Sequence, residues 1–296
     1  MNEQNRVSLK EKWKRYRLNH SAQSIAASAA LYFLLFLCAM AIFLPSIWAV
    51  MTSFKEETEV LDANVTLFPK KYILDNYRHI LSNHNVPIFR WFFNSFKIAV
   101  TYVVLYLLIS SMAAFAFSRL KFKGRDAMFW LGMSSMVIPG VINMIPHYII
   151  IDKLGLVDNM FAMVLPGLGG VGGVFLLRQF MKGVPMAYDE AAKIDGANEF
   201  HIYWYVVLPM CLPVLVTLAI FSFQGNWNDY VWPLIVTNSA QSRTLTAGLA
   251  TFSGSYAHQY GKQMAGAVLS ALPILLIFVL GQKYFIKGIA IGGIKG

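Results

Sequence analysis

The chain has 296 residues, 57% of them hydrophobic and only 14% charged, with a formal net charge of +10 and a mean hydropathy of +0.52. Soluble domains carry roughly 25% charged residues, so this composition excludes an ordinary soluble enzyme or binding module and points to a polytopic membrane protein. The positive balance does not imply nucleic acid, because the cations gather in short segments beside apolar runs, as membrane topology requires. Cys38 and Cys211 both fall inside apolar runs, so they read as buried packing residues rather than a disulfide or metal site.

Residues 1–23 form a basic leader with Arg6, Lys10, Lys12, Lys14, Arg15 and Arg17. A signal peptide is the rival reading, since Ala39-Met40-Ala41 resembles a small-residue cleavage site. The apolar run at 24–54 continues well past it, whereas signal cores span roughly 7–15 residues, so a retained first span is expected. Residues 55–95 are polar and of mixed charge, an external cap, and Phe89, Trp91, Phe92 and Phe93 mark a membrane interface. A second span is expected at 96–117. It exits through Arg119-Leu-Lys121-Phe-Lys123-Gly-Arg125, the strongest cytoplasmic marker in the chain.

A third span, 127–151, contains Pro139 and Pro146 and should be kinked. Asn143 and His147 share one of its faces, where they either line a pathway or bond to a neighbouring helix. The fourth span, 160–180, holds Gly167-Leu-Gly169-Gly-Val-Gly172, which matches the dinucleotide fingerprint G-x-G-x-x-G by letter. That fingerprint needs a preceding strand, implausible inside an apolar run, so close helix packing through Gly169-x-x-x-Gly173 is the expectation.

Residues 185–202 form a polar island between apolar runs. Pro185 suits a first helical turn, Asp189 and Glu190 favour its positive end, and Gly196 is a natural left-handed stop, so a short helix should run from about Pro185 to Asp195. Ala187, Ala191 and Ile194 share a small apolar face, with Asp189 and Lys193 turned to water. A fifth span at 203–223 leads into Gln224-Gly-Asn226-Trp-Asn228-Asp229-Tyr230. Amides, an acid and aromatic rings suit sugar recognition, although an interfacial girdle has a similar composition. Ser253-Gly254-Ser255-Tyr256 suits contact with an external partner. The sixth span covers 264–284, and residues 287–296 form a short tail, frayed by default.

Glu190-Ala191-Ala192, three residues, Gly196, nine residues and Val206-x-Leu208-Pro209 together resemble the EAA signature of inner-membrane permeases of binding-protein-dependent ABC importers, with Val206 where the pattern usually has isoleucine. The ending Gly292-Gly293-Ile294-Lys295-Gly296 resembles the tail of maltose-type sugar permease subunits. The resemblance implies an all-α type I ABC importer permease fold with six transmembrane helices in a domain at 24–286. It implies that Glu190, Ala191, Ala192, Asp195, Gly196, Leu208 and Pro209 belong to a coupling loop docked on a cytoplasmic ATPase. It also implies that Gly292, Gly293, Lys295 and Gly296 reach the interface between two ATPase subunits. The implied partners are a second homologous permease, two ATPase chains, an extracytoplasmic solute-binding protein met by residues 253–256, and a carbohydrate, either a neutral oligosaccharide such as a maltodextrin or an acidic one of the alginate type; the chain itself holds no cofactor, ATP and Mg being bound by the ATPase. Both termini are expected in the cytoplasm of a bacterial inner membrane, the side where most of the lysines and arginines fall.

No Gly-x-x-x-x-Gly-Lys-Ser/Thr occurs, so energy must come from another subunit. A secondary transporter is the alternative, but no carboxylate sits in the middle of an expected span to couple an ion. A membrane-embedded enzyme would need a metal cluster or a nucleophile and base, and the histidines are scattered.

Overall fold

The computed structural model describes the backbone of residues 3–82, 86–255 and 259–293 and the side chains of 27–82, 86–251 and 259–281; every regular element among them is helical. α1 (Glu3–Ser53) runs unbroken from the basic leader into the first apolar run, so residue 23 marks no structural boundary. The large apolar side chains between Leu31 and Leu44 are 44–72% exposed, as expected of a helix facing lipid, which is as apolar as leucine. Cys38 is exposed on this helix, while Cys211 is buried, which corrects the buried reading of Cys38.

α2 (Glu57–Val60) and α3 (Asp75–Ser82) form the polar cap. It ends sooner than expected, because α4 (Ile88–Arg119) begins at Ile88 rather than near residue 96. Trp91 explains this early start. Its ring is 3% exposed, a Cβ on Gly248 would lie 2.3 Å from it, and its Nε1 donates to the Ala240 carbonyl at 2.6 Å. Trp91 is thus a core anchor, while Phe89 and Phe93 stay exposed where an interfacial ring belongs. Without glycine or proline inside it, α4 runs straight through the bundle for about 48 Å at 1.5 Å per residue.

The next three expected spans are each broken. α5 (Arg125–Ser134) and α6 (Met144–Lys153), with the short 3₁₀ turns between them, meet at 94°. Ile138 is extended because a residue before proline avoids the helical region, so Pro139 makes a break where a kink was expected. Pro146 sits in the first turn of α6, where its missing N–H costs little. α7 (Met160–Val164) and α8 (Val171–Gly183) meet at 48° through the turn Pro166–Gly169.

α9 (Ala187–Ile194) follows, then α10 (Glu199–His201), a π turn at Ile202–Val207 and α11 (Leu208–Met210). The chain bends by 78° into α12 (Leu212–Asn228), where Pro209 and Pro213 lack the N–H groups a straight helix would use. α13 (Val231–Val236), α14 (Leu245–Ser255) and α15 (Tyr260–Gly293) complete the described chain. α15 starts before residue 264 and stays helical past residue 287 through Gly293, so the first part of the tail continues the last span. Lys295, Gly296 and Tyr256 lie outside the described residues, and of Gly292, Gly293, Ser253, Gly254 and Ser255 the backbone alone is described.

Among the described residues, three helices are long and apolar enough to cross a membrane, and the bent pairs bring the total to six if each is one span. α4 is the centre of the bundle, packed on α7, α8, α12 and α14, while α15 packs on α1, α3 and α12.

Candidate functional site

Two large cavities border α4. One, of about 670 Å³, lies between α4, α12 and α15 and is lined only by apolar side chains such as Phe89, Phe92, Phe223 and Leu276, so it offers nothing to a hydrated solute. The other, of about 610 Å³, is lined by Tyr102 and Tyr106 of α4, His147 of α6, the Pro166–Gly167 turn, Gly172 and Gly173 of α8, Ser222 and Asn226 of α12, then Asp229 and Trp232. Interrupted helices free backbone polar groups at membrane depth, which is tolerated where they face a cavity.

The polar cavity is built on a pair of rings. Tyr102 and Tyr106, one turn apart on α4, stack at 5.4 Å between centroids and 12° between planes. Glycines make room for them, since a Cβ on Gly167 would come within 2.7 Å of the Tyr102 ring and one on Gly173 within 2.7 Å of Tyr106 Oη. The Gly173 N–H donates to Tyr106 Oη at 2.8 Å. Close packing therefore runs through Gly167 and Gly173, whereas Gly169 faces open space, correcting the pairing expected from the sequence.

Across the cavity, Trp232 Nε1 donates to the Ala162 carbonyl at 2.9 Å, which holds the indole edge-on to His147 with centroids 6.2 Å apart. The Asp229 carboxylate accepts a long bond from the Trp232 N–H at 3.4 Å. Asn226 lines the same wall. Of the five residues that the sequence suggested for a pathway, His147, Asn226 and Asp229 meet here, while Asn143 and Asn228 do not line the cavity. Asn228 is exposed, and its neighbour Trp227 is the buried member of that segment. Sequence reasoning missed Tyr102, Tyr106 and Trp232, because aromatic residues within apolar runs look like ordinary membrane filler.

At the far end of α4, α9 presents Tyr188 (51% exposed) and Ile194 (87% exposed), with Ala187, Glu190, Ala191 and Asp195 also exposed. Asp189 departs from its expected place in water and is buried, with Oδ2 3.4 Å from Arg119 Nε. Arg119 Nη2 also donates to the Val184 carbonyl at 2.8 Å. Burial pushes the Asp189 carboxyl above its usual range, and the Arg119 guanidinium pulls it back. The stop after α9 is Gly196 at φ +85°, and the Ala197 N–H turns back to the Ala192 carbonyl at 2.9 Å. Val206 and Leu208 pack on the core beside Tyr203 and Val207, while Pro209 is exposed.

Arg178 is a second structural cation. It is buried, stacks 3.8 Å over the Phe129 ring and donates to the Phe117 carbonyl at 3.1 Å and the Asp126 carboxylate at 3.2 Å. Arg119 and Arg178 thus fasten helix ends together instead of standing free in a loop.

A polar cavity inside a bundle of interrupted helices, with a helix displayed at one end, defines a multi-pass membrane transport component. Residues 31–291 match the family described as the binding-protein-dependent transport system inner membrane component, and the chain belongs to that family. It is 36% identical over 263 residues, 88% of this chain and 94% of the relative, to the arabinooligosaccharides transport system permease protein AraQ of Halalkalibacterium halodurans. It is 31% identical over 264 residues, 89% of this chain and 95% of the relative, to the lactose transport system permease protein LacG of Rhizobium radiobacter. A solved chain of a bacterial ABC transporter involved in the import of the acidic polysaccharide alginate has the same fold, with a TM-score of 0.75 at 24% identity over 87% of this chain and 96% of that one.

Proposed function

We propose that this chain is one of two permease subunits of an ATP-driven carbohydrate importer and supplies half of its translocation pathway. The observation that carries this reading is the path of α4, which holds Tyr102 and Tyr106 at the polar cavity and ends at Arg119, the partner of Asp189 in α9. A push on α9 is delivered to the helix that lines the cavity, and an ATP-driven change in the partner shifts the bundle only if it favours one arrangement of these helices. Relatives named for arabinooligosaccharide and lactose transport support a carbohydrate cargo.

In this reading α9, with Glu190, Ala191, Ala192, Asp195 and Gly196, docks on a cytoplasmic ATPase that binds ATP and Mg, and Leu208 and Pro209 lead the force into α12. Gly292, Gly293, Lys295 and Gly296 reach between the two ATPase chains. An extracytoplasmic binding protein delivers the sugar to the opposite face, near Ser253, Gly254, Ser255 and Tyr256, and both termini lie in the cytoplasm. The test is reconstitution with the second permease, the ATPases and the binding protein. Glu190→Lys should leave the chain inserted and the complex assembled but separate ATP hydrolysis from uptake. Sugar uptake by this chain without ATP would instead favour a secondary transporter.

A further inference from the structure

We infer that the polar cavity accepts uncharged oligosaccharides and rejects those bearing carboxylates. This inference rests on the carbohydrate-importer reading and narrows its cargo. The lining contains one carboxylate, Asp229, and neither lysine nor arginine. The cations that bound the same helix are elsewhere: Arg90 and Lys97 line a separate recess of about 110 Å³ with Asp158, and Arg119 is paired with Asp189. A uronate unit in the cavity would bring its carboxylate toward Asp229 with no lysine or arginine among the lining residues to offset it, and like charges repel strongly where water is scarce.

What the lining does offer matches a neutral sugar. The half-buried Tyr102 ring, stacked on the buried Tyr106 ring behind it, provides an apolar surface for the C–H face of a pyranose or furanose ring. Asp229 can accept from hydroxyl groups, and the Asn226 carboxamide can both donate and accept. Trp232 adds a second aromatic wall whose N–H is already satisfied by the Ala162 carbonyl, so it contributes surface without leaving a stranded donor. A volume of about 610 Å³ lies within the ordinary range of roughly 300–1,000 Å³ for small-molecule sites.

The experiment is equilibrium binding of two radiolabelled probes, xylotetraose and tetragalacturonate, to the importer assembled with its partner permease and ATPases but without the binding protein. It is run at pH 8, where free imidazole is neutral. The neutral probe should bind at least tenfold more tightly. Tyr102→Ala should weaken xylotetraose binding about tenfold, and Asp229→Lys should narrow or reverse the preference. Asp229→Asn keeps the shape and should narrow the preference less. Equal or tighter binding of tetragalacturonate to the unmodified importer overturns the inference, as does a preference unchanged in both Asp229 variants. Binding of neither probe by a complex that hydrolyses ATP overturns the carbohydrate reading, and the inference with it.

Discussion

Arg119 and Asp189, far apart in sequence, meet as a 3.4 Å ion pair in which the two side chains are 3% and 5% exposed. The pair joins the end of α4 to the exposed helix α9. Removing one member of a buried pair strands the other charge, which costs about 3–5 kcal/mol. Asp189→Ala should therefore lower the thermal unfolding midpoint of the purified protein and increase protease cleavage around residues 185–197. The double variant Arg119→Met with Asp189→Leu should recover much of the stability, because two apolar side chains leave no stranded charge. An unchanged midpoint in Asp189→Ala would contradict the role given to the pair.

Glycines of the Gly167–Gly173 stretch should differ sharply in tolerance. Gly173→Ala places a Cβ 2.7 Å from Tyr106 Oη and 3.0 Å from Ser110 Oγ, and overpacking of this kind costs about 1–3 kcal/mol. Tyr106→Leu in the same chain should restore most of that loss. Gly169→Ala and Gly172→Ala meet nothing within 4 Å and should stay within about 0.5 kcal/mol of the parent. Thermal unfolding of the four variants decides the matter.

Asp158 anchors the turn after α13. Its Oδ1 accepts from the Asn238 N–H at 3.1 Å and the Ser239 N–H at 3.2 Å. Burial works against the charged form, but the bonds from Ser239 and Asn238 prevail and hold the carboxyl below its usual range. The folded protein therefore binds this proton less readily than the unfolded chain. The contribution is complete above the unfolded value of about 3.9 and fades as pH falls through the lower folded value. Amide exchange at residues 237–243, corrected for its intrinsic pH dependence, should stay protected at pH 5 and above and rise only in stronger acid. Asp158→Asn should raise it at pH 5 and above and make little difference in strong acid, where the parent carboxyl is protonated as well.

Glu57 caps the last helix from the polar cap. Its carboxylate accepts from the Tyr260 N–H at 2.8 Å and the Gly261 N–H at 3.2 Å, two donors that the first turn of α15 cannot satisfy internally. Glu57→Ala should cost about 0.5–2 kcal/mol and speed amide exchange at residues 260–263, with Glu57→Gln intermediate. Exchange indifferent to the Glu57 side chain would refute the cap.

The site was legible in the sequence to unequal degrees. The α9 helix, its Gly196 stop and the polar segment at Asn226 and Asp229 could be read locally, because caps, small residues and polar groups among apolar runs carry their meaning in a short window. Asp189 was misplaced because helical spacing gives a direction around an axis and not the identity of whatever covers that face. Trp91 reads locally as an interfacial ring for the same reason, since its partner Gly248 is remote in the chain.

From its own letters the chain determined that it is helical, lies in a membrane and carries the exposed small-residue helix, because hydropathy and chain punctuation act over a few turns. The tertiary structure alone decided that Pro139, Pro166 and Pro209 accompany true breaks, that Tyr102 and Tyr106 face a polar cavity, and that Arg119 holds α9 to α4. Those outcomes depend on which surfaces meet across the bundle. In lipid, where apolar faces gain little by leaving the solvent, close packing and the pairing of polar groups settle that choice.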